Sequence, residues 1–502
     1  MNALVSNVLT QVFITLIAVS GIYVLTGLTG MFSLGQAAFM AIGSYVSGLL
    51  VIRAHVPFAL AALLAVAGAT LIGYVIGYPV VRLRRDYISL VTLGFGEAIA
   101  ALLNRMTTLT GGASGLTGIP RLVGLPLAFV SAVLAIALAA FFKTSKYGRQ
   151  CIALKGDELA AKAMGINVTR VKMIAFLLSV ALTSYSGVLY AFYMSYVDPT
   201  GFGWKKSADW VIMVFFGGVN SLTGSTLGAF ILSALPQALR GLQNYRYVIY
   251  AVLVLLILNF KPSGLLGEWE LTPRNLQQAF AKLGQKRTLP KRRGKPWHCW
   301  KSRTFIRALA ASRRYRTSPL KRTPGKSTAL SDPTARAKPP SSTPFRACTP
   351  PTKAPLCWTA RTSPSWSSTK ITRLGMGRTF QNIRLFKGLT VEENVMCAFD
   401  PQSRYSIVGG LLPTPKRRDE EKRGRELCEK YLTVVGMQDY LHERPENLSY
   451  GMQRRIEIAR ALMCEPKILL LDEPAAGLNP TEVAELTELI QRISKEIGFG
   501  IC

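Results

Sequence analysis

Apolar runs of membrane length fill the first half of the chain, and they restrict it to a fold whose backbone is satisfied internally. A membrane span needs roughly 20 mostly apolar residues. Such runs cover 8–28, 33–53, 57–81, 87–104, 123–142, 171–194 and 246–260. A further stretch, 208–238, is apolar but broken by Gly217-Gly218 and Gly224. In hydrocarbon every N–H and C=O must find a partner within the protein, so these runs are expected to be helices. Hydrophobic residues make up 49% of the 502, and they crowd into the first 260. The expected fold is an α-helical polytopic membrane domain of about 8 membrane segments, then a disordered basic segment, then an incomplete α/β domain. The first apolar run is long enough to be a retained span, so no cleavable signal peptide is expected.

Charge sets the expected orientation. Lys143, Lys146, Arg149, Lys155, Lys162, Arg170 and Lys172 outnumber Asp157 and Glu158 in the loop 143–172, which places that loop in the cytoplasm. Arg82-Leu83-Arg84-Arg85 falls on the same side. A single crossing by 208–238 would leave the C-terminal region outside. That stretch is therefore expected to enter and return, bent at its glycines. Gly35, Gly43, Gly48, Gly68, Gly73, Gly77, Gly94 and Gly96 are expected to let helices approach closely. Glu97 is an ionisable group among apolar spans and so a functional candidate. The net charge of +32 is lopsided: residues 296–369 hold 14 Lys or Arg against one acid, Asp332. Charge alone favours nucleic acid, and no nucleic-acid partner is expected. The eight cysteines show neither metal-ligand spacing nor a disulfide framework.

From Ile371 the pattern becomes that of a soluble domain. Residues 388–447 read as helical, with a polar insert at Pro413–Glu421. Ser449 and Gly451, in Leu448-Ser449-Tyr450-Gly451-Met452-Gln453-Arg454-Arg455, open a helix. The run Ile468–Leu471 reads as a buried parallel strand that delivers Asp472 and Glu473. These strings resemble the signature motif and Walker B strand of ABC-transporter ATPases. Gly377-Arg378-Thr379-Phe380-Gln381 resembles the Q-loop, and Gly477-Leu478-Asn479-Pro480 the dimer-contact D-loop. In the first half, Phe32-Ser33-Leu34-Gly35-Gln36-Ala37-Ala38-Phe39 and Pro262-Ser263-Gly264-Leu265-Leu266-Gly267 resemble branched-chain amino-acid ABC permeases. So does the loop from Tyr147-Gly148-Arg149 through 156–167, read as one short amphipathic helix ended by Gly165.

The resemblance implies ATP and Mg as cofactors. It gives Glu473 and Gln381 catalytic roles, Asp472 and Gln381 the metal, and Ser449, Gly451, Gln453 and Asp472 the nucleotide. The helix N-terminus at the signature would face the γ-phosphate on a partner subunit. Coupling to the ATPase falls to Asp157, Glu158, Ala161, Met164 and Gly165. The implied partners are a second permease subunit, intact ABC ATPase subunits and an extracytoplasmic solute-binding protein. The implied location is a bacterial-type inner membrane, multi-pass, with the C-terminal region cytoplasmic. A switch His is expected some six residues beyond Cys502.

Residues 296–369 carry eleven prolines, four tryptophans and no periodicity. Taken literally this is a disordered basic linker, although tryptophan is unusual in one. Ser331–Pro340 can be encoded so that the frame one nucleotide earlier spells Ile-Gly-Pro-Asn-Gly-Ala-Gly-Lys-Thr-Thr, a phosphate-binding loop. Similar decoding extends in both directions, and the true frame is recovered near Ser367–Thr369. Gly325-Lys326-Ser327-Thr328 then becomes a coincidence, since Leu320 stands where a glycine is needed. The expected domains are a permease at 1–268, a linker at 269–369 and a partial ABC ATPase at 370–502 without Walker A loop or switch His. Ile468–Leu471 is expected to lose its sheet partners, leaving 370–502 marginally stable. The expected function is the membrane permease component of an ATP-driven importer, with an ATP-binding region that does not hydrolyse ATP at its own site. The alternatives are a permease served wholly by separate intact ATPases, and a passive pore with an inert tail.

Overall fold

Helices form where the apolar runs predict and stop at charges, prolines or glycines. The computed structural model describes residues 3–238, 245–271, 368–497 and 500–501. The basic stretch up to residue 367, including Gly325-Lys326-Ser327-Thr328 and the alternative frame, lies outside the described residues. Helix α1 (Ala3–Ile22) continues through a wider π-helical turn, Tyr23–Leu28. A non-helical segment leads to α2 (Gln36–Ala54), followed by α3 (Phe58–Val80), α4 (Arg85–Arg105) and the short α5 (Thr107–Thr110). Then come α6 (Leu125–Lys143), two short helices described below, and α9 (Val168–Met194). Among the described residues six helices are long and apolar enough to cross a membrane: α1 with its π turn, α2, α3, α4, α6 and α9. A two-residue antiparallel ribbon joins β1 (Leu116–Thr117) to β2 (Tyr196–Val197), just past the end of α9.

Burial separates an inner from an outer layer. The apolar windows of α1, α2 and α9 are 72%, 61% and 67% buried, whereas those of α3, α4 and α6 are 28%, 22% and 33% buried. Leu63, Leu71, Leu90 and Leu134 stand exposed on the outer helices, as a lipid-facing surface requires. The inner helices touch through glycine. A Cβ at Gly43 would drive into the Ser184 carbonyl oxygen, and one at Gly187 into that of Met40, so α2 and α9 cross in backbone contact. Gly73 and Gly77 seat Val180 and Phe176 in the same way. Gly68 and Gly94 do not follow the expectation, for a side chain there would meet nothing within 4 Å.

The interrupted stretch 208–238 folds as two helices, α10 (Trp204–Gly217) and α11 (Leu222–Ala238), ahead of α12 (Arg246–Phe260). The chain reverses at Gly218, whose φ of 123° only glycine adopts readily. Gly217 and Gly224 then face each other without room for a side chain on either. The bend thus falls at the glycines that the sequence marks.

The second half begins with α13 (Ser368–Arg373). Its parallel sheet has three described strands, with β4 (Ile468–Leu470) between β3 (Met376–Arg378) and β5 (Gly500–Ile501). The expectation that Ile468–Leu471 loses its partners is therefore corrected, because residues downstream of 368 supply a strand on each side. The helices are α14 (Val391–Phe399), α15 (Ile407–Leu411), α16 (Pro415–Val434), α17 (Tyr450–Leu462) and α18 (Pro480–Ile497). Pro413–Glu421, read as a polar insert, forms the cap and start of α16. Thr414 caps α16 by accepting the Arg417 N–H, and Pro415 takes the first helical position, where a missing N–H costs nothing.

Gly43→Val should overpack the α2–α9 crossing and cost about 1–3 kcal/mol. Gly94→Ala, in open space, should leave stability unchanged. Thermal unfolding of the two variants in detergent, side by side, checks the contrast.

Candidate functional site

The charged loop 143–172 folds as two helices where its pattern suggested one. Helix α7 (Lys146–Gly156) ends at Asp157, whose carboxylate accepts the N–H groups of Leu159 and Ala160 and so starts α8 (Glu158–Ala163). Gly165, with φ of 84°, turns the chain towards α9. Most of α7 is buried between the membrane helices and the second half of the chain, whose Phe386, Leu389, Cys397 and Tyr405 join the same core.

Arg149 sits at the centre of that seam. Its Nη2 lies 2.6 Å from Asp400 Oδ1 and its Nε donates to Asp400 Oδ2 at 3.3 Å. On the other side Nη1 and Nη2 donate to the two oxygens of Glu421 at 2.8 and 2.9 Å. Tyr405 completes the cluster: its hydroxyl donates to Glu421 at 2.8 Å and accepts the Lys146 N–H at 2.6 Å. Burial opposes the charge on Arg149, but Asp400 and Glu421 outweigh it and hold its pKa well above the ordinary value. Burial likewise pushes Asp400 up, to about 6, against the pull of Arg149. Burial would raise Glu421 too, but Arg149 prevails and keeps it below the usual carboxylate value.

The residues expected to couple the halves divide into three groups. Asp157 accepts from Arg384 Nη1 at 2.7 Å. Met164 packs into the core of the second half beside Val391, Val395 and Met396. A Cβ at Gly165 would lie 3.5 Å from Thr372, which donates to the Ala163 carbonyl at 2.9 Å. Ala161 is buried. Glu158 instead pairs with Lys162 and Lys172, at 3.0 and 2.9 Å, both in the membrane half. The sequence reading missed Lys146, Asp400, Tyr405 and Glu421. Arg149 stood in the quoted Tyr147-Gly148-Arg149 string, but its partners are some 250 residues away and carry no local signal.

The nucleotide-motif residues gather in two places. Gln381, Asp472 and Glu473 meet at the end of β3 and β4, where Gln381 Nε2 donates to Glu473 Oε2 at 2.9 Å. Asp472 is 46% exposed and pairs with Arg378 at 3.3 Å. Glu473 holds φ at 43°, an unusual value for a residue with a side chain. Ser449, Gly451 and Gln453 lie elsewhere. Ser449 Oγ accepts the Met452 N–H at 3.4 Å as the cap of α17, and Gln453 turns back to donate to the Leu448 carbonyl at 2.9 Å. Ser449 and Gly451 line a separate cavity of about 300 Å³ with Glu482 and Arg455.

Buried arginines tie the two places together. Arg454, fully buried, donates to the carbonyls of Phe380 and Gln381 at 2.7 and 2.8 Å and pairs with Glu457 at 2.7 Å. Glu457 in turn accepts the Phe380 N–H at 3.2 Å. Arg460 donates to the Arg384 carbonyl at 2.7 Å, and Arg384 reaches Asp157, the cap of α8. A continuous polar path thus runs from α17 through the Gln381 loop to the membrane half. Among the described residues no cluster of three His, Cys, Asp or Glu could hold a metal unaided. The oxygens of Asp472 and Gln381 do suit Mg²⁺, which usually takes one or two protein ligands beside phosphate oxygens and water.

A family pattern described as "Branched-chain amino acid transport system / permease component" matches residues 4–258, just over half of the chain. The chain belongs to this permease family. A second pattern, "ABC transporter", matches 325–476 and so begins at Gly325-Lys326-Ser327-Thr328. The high-affinity branched-chain amino acid transport system permease protein LivM of Salmonella typhimurium is 31% identical over 294 residues, 52% of this chain and 69% of that protein. LivM of Escherichia coli is 30% identical over 296 residues. The high-affinity branched-chain amino acid transport ATP-binding protein LivG of Escherichia coli is 44% identical over 124 residues, 25% of this chain and 49% of that protein. The chain is thus a permease fused to an ABC-type domain, and it spans about half the length of the ATP-binding relative.

Arg149→Ala should leave Asp400 and Glu421 buried without a partner and weaken the seam by about 3–5 kcal/mol. Arg149→Lys keeps the charge but loses the fork, and should fall between. Faster hydrogen exchange in α7 and α14, in that order of variants, is the expected readout.

Proposed function

We propose that this permease-family chain is the membrane component of an ATP-driven importer for branched-chain amino acids, and that α7 and α8 are its coupling segment. The observation that carries the proposal is the buried Arg149–Asp400–Glu421 cluster, which joins a permease loop to an ABC-type helical region. On this reading α7, α8 and the ATP-binding half lie in the cytoplasm, in keeping with the basic loop 143–172. Asp472 and Gln381 would hold Mg²⁺ with ATP, and Glu473 would orient the attacking water. Bound ATP and Mg²⁺ would supply the phosphoryl chemistry, while Arg454 and Glu457 fix the loop that carries Gln381.

The chain's own site is proposed not to turn over ATP, because 331–340 as written lacks the glycines that cradle phosphates. The residues of 331–340 admit synonymous codons whose frame one nucleotide earlier spells a phosphate-binding loop, and on that ground a frame disruption is proposed as the cause. Sequencing the transcript across codons 285–375 tests the inert-site reading: a restored phosphate loop would sink it, whereas the sequence as written would leave transport to separate intact ATPase subunits.

The second permease subunit is proposed to pack on α4. Gly94 and Glu97 stand on its open face, and Glu97 Oε1 accepts the N–H of Trp204, the first residue of α10, at 3.2 Å. A carboxylate at that depth is costly in lipid and suits a protein neighbour or a polar path. In proteoliposomes, leucine uptake should require ATP, a binding protein and intact ATPase subunits, and the chain alone should show no ATPase activity. Uptake down a gradient without ATP would favour the passive pore instead. ATP turnover by the chain alone would overturn the inert-site reading.

A further inference from the structure

A cavity of about 500 Å³ opens at the seam, between α7, the first turns of α9 and the segment Asp400–Val408. Three cations line it, Lys146, Arg170 and Arg404, against one acid, Asp400, which Arg149 already holds. Arg170 and Arg404 are exposed, and neither has an ion-pair partner among the described residues. Lys146 donates to the Ser403 carbonyl at 2.8 Å and lies 4.2 Å from the centre of the Tyr405 ring. The cavity therefore has an excess of positive charge with donors to spare.

Beside the polar Gln150, Asn167, Ser403 and Ser406, part of its wall is apolar. Val171 and Ile174 come from the first two turns of α9, where that helix enters its spanning stretch. Opposite them Ile407 and Val408 are 40% and 60% exposed on α15, an unusual placement in a soluble domain facing only water. Cations and apolar wall thus meet where α6 ends and α9 begins, which on the proposed orientation lies near the lipid headgroups.

We propose that this cavity binds the phosphodiester headgroup of an anionic phospholipid, with Arg170, Arg404 and Lys146 around the phosphate and Ile407 and Val408 against the chains. A free phosphate shares the anionic chemistry but has no use for the apolar wall, so the lipid is the assigned source. Basic pockets at the cytoplasmic ends of membrane helices are suited to such headgroups.

The test uses the full chain, purified in detergent and equilibrated with equal phosphatidylglycerol and phosphatidylcholine, then read by native mass spectrometry. Wild type should retain phosphatidylglycerol in preference to phosphatidylcholine. R170Q/R404Q should lower that retention by about 5-fold per arginine removed, whereas R105Q, at the far end of α4, should not. I407S/V408S should also lower it. Both arginines are exposed, so an unchanged melting temperature separates lost binding from lost folding. Equal retention of the two lipids, or unchanged retention by R170Q/R404Q, would overturn the proposal. Displacement by equimolar inorganic phosphate would overturn the lipid source.

Discussion

One guanidinium, that of Arg149, sets how the two halves meet. A buried charge is costly unless its hydrogen bonds are met, and here one fork serves two carboxylates while the Tyr405 hydroxyl serves the remaining demand on Glu421. Such a cluster contributes less to net stability than an apolar contact of similar area. Its value lies in register: a shift of one helical turn on α7 would leave both acids unpaired. Apolar contacts provide the adhesion around it, with Met164 seated in the second core and Phe386 among the buried residues of the first. We read the division of labour as adhesion from the apolar rim and alignment from the charged centre.

From this seam the polar path leads inward without a break. Asp157 holds Arg384, the Arg384 carbonyl accepts from Arg460, and Arg454 on the same helix grips the carbonyls on either side of the Phe380–Gln381 bond. Both arginines are fully buried, so neither can move without taking the Gln381 loop or α17 along. On the proposed reading this is the route by which a displacement at α8 would reach the place where Gln381 meets Glu473.

The spans and the two halves were legible because they rest on local pattern: apolar runs of fixed length, and acids placed just after an apolar strand. The break at Gly217-Gly218 was legible for a stereochemical reason, since a φ of 123° is closed to other residues. Helix α7 was not. Its buried face carries Lys146, Arg149 and Gln150, which read as solvent-facing until Asp400, Tyr405 and Glu421 are brought to it from the far half. The error over Ile468–Leu471 has a similar origin. Strands of two or three residues, Met376–Arg378 and Gly500–Ile501, are too short to show a period, and only pairing defines them. The nucleotide-motif residues were named by motif, but their separation into two places was visible only in three dimensions.

That separation constrains any account of ATP chemistry. Gln381, Asp472 and Glu473 converge at the end of the sheet, whereas Ser449 and Gly451 open on another cavity beyond α17. No rotation of side chains merges the two sets, because Arg454 and Glu457 fix the loop and the helix between them. On the proposed reading a nucleotide held by the first set would need a signature from another subunit, and Ser449 and Gly451 would be left to serve a second nucleotide. On the proposed reading the two surfaces decay independently. Loss of phosphate-binding glycines silences the first, while the second depends only on the cap at Ser449 and on α17 staying latched to the Gln381 loop. The part of the ATP-binding half that still contributes is then the part that Arg454, Arg460 and Arg149 connect to the membrane.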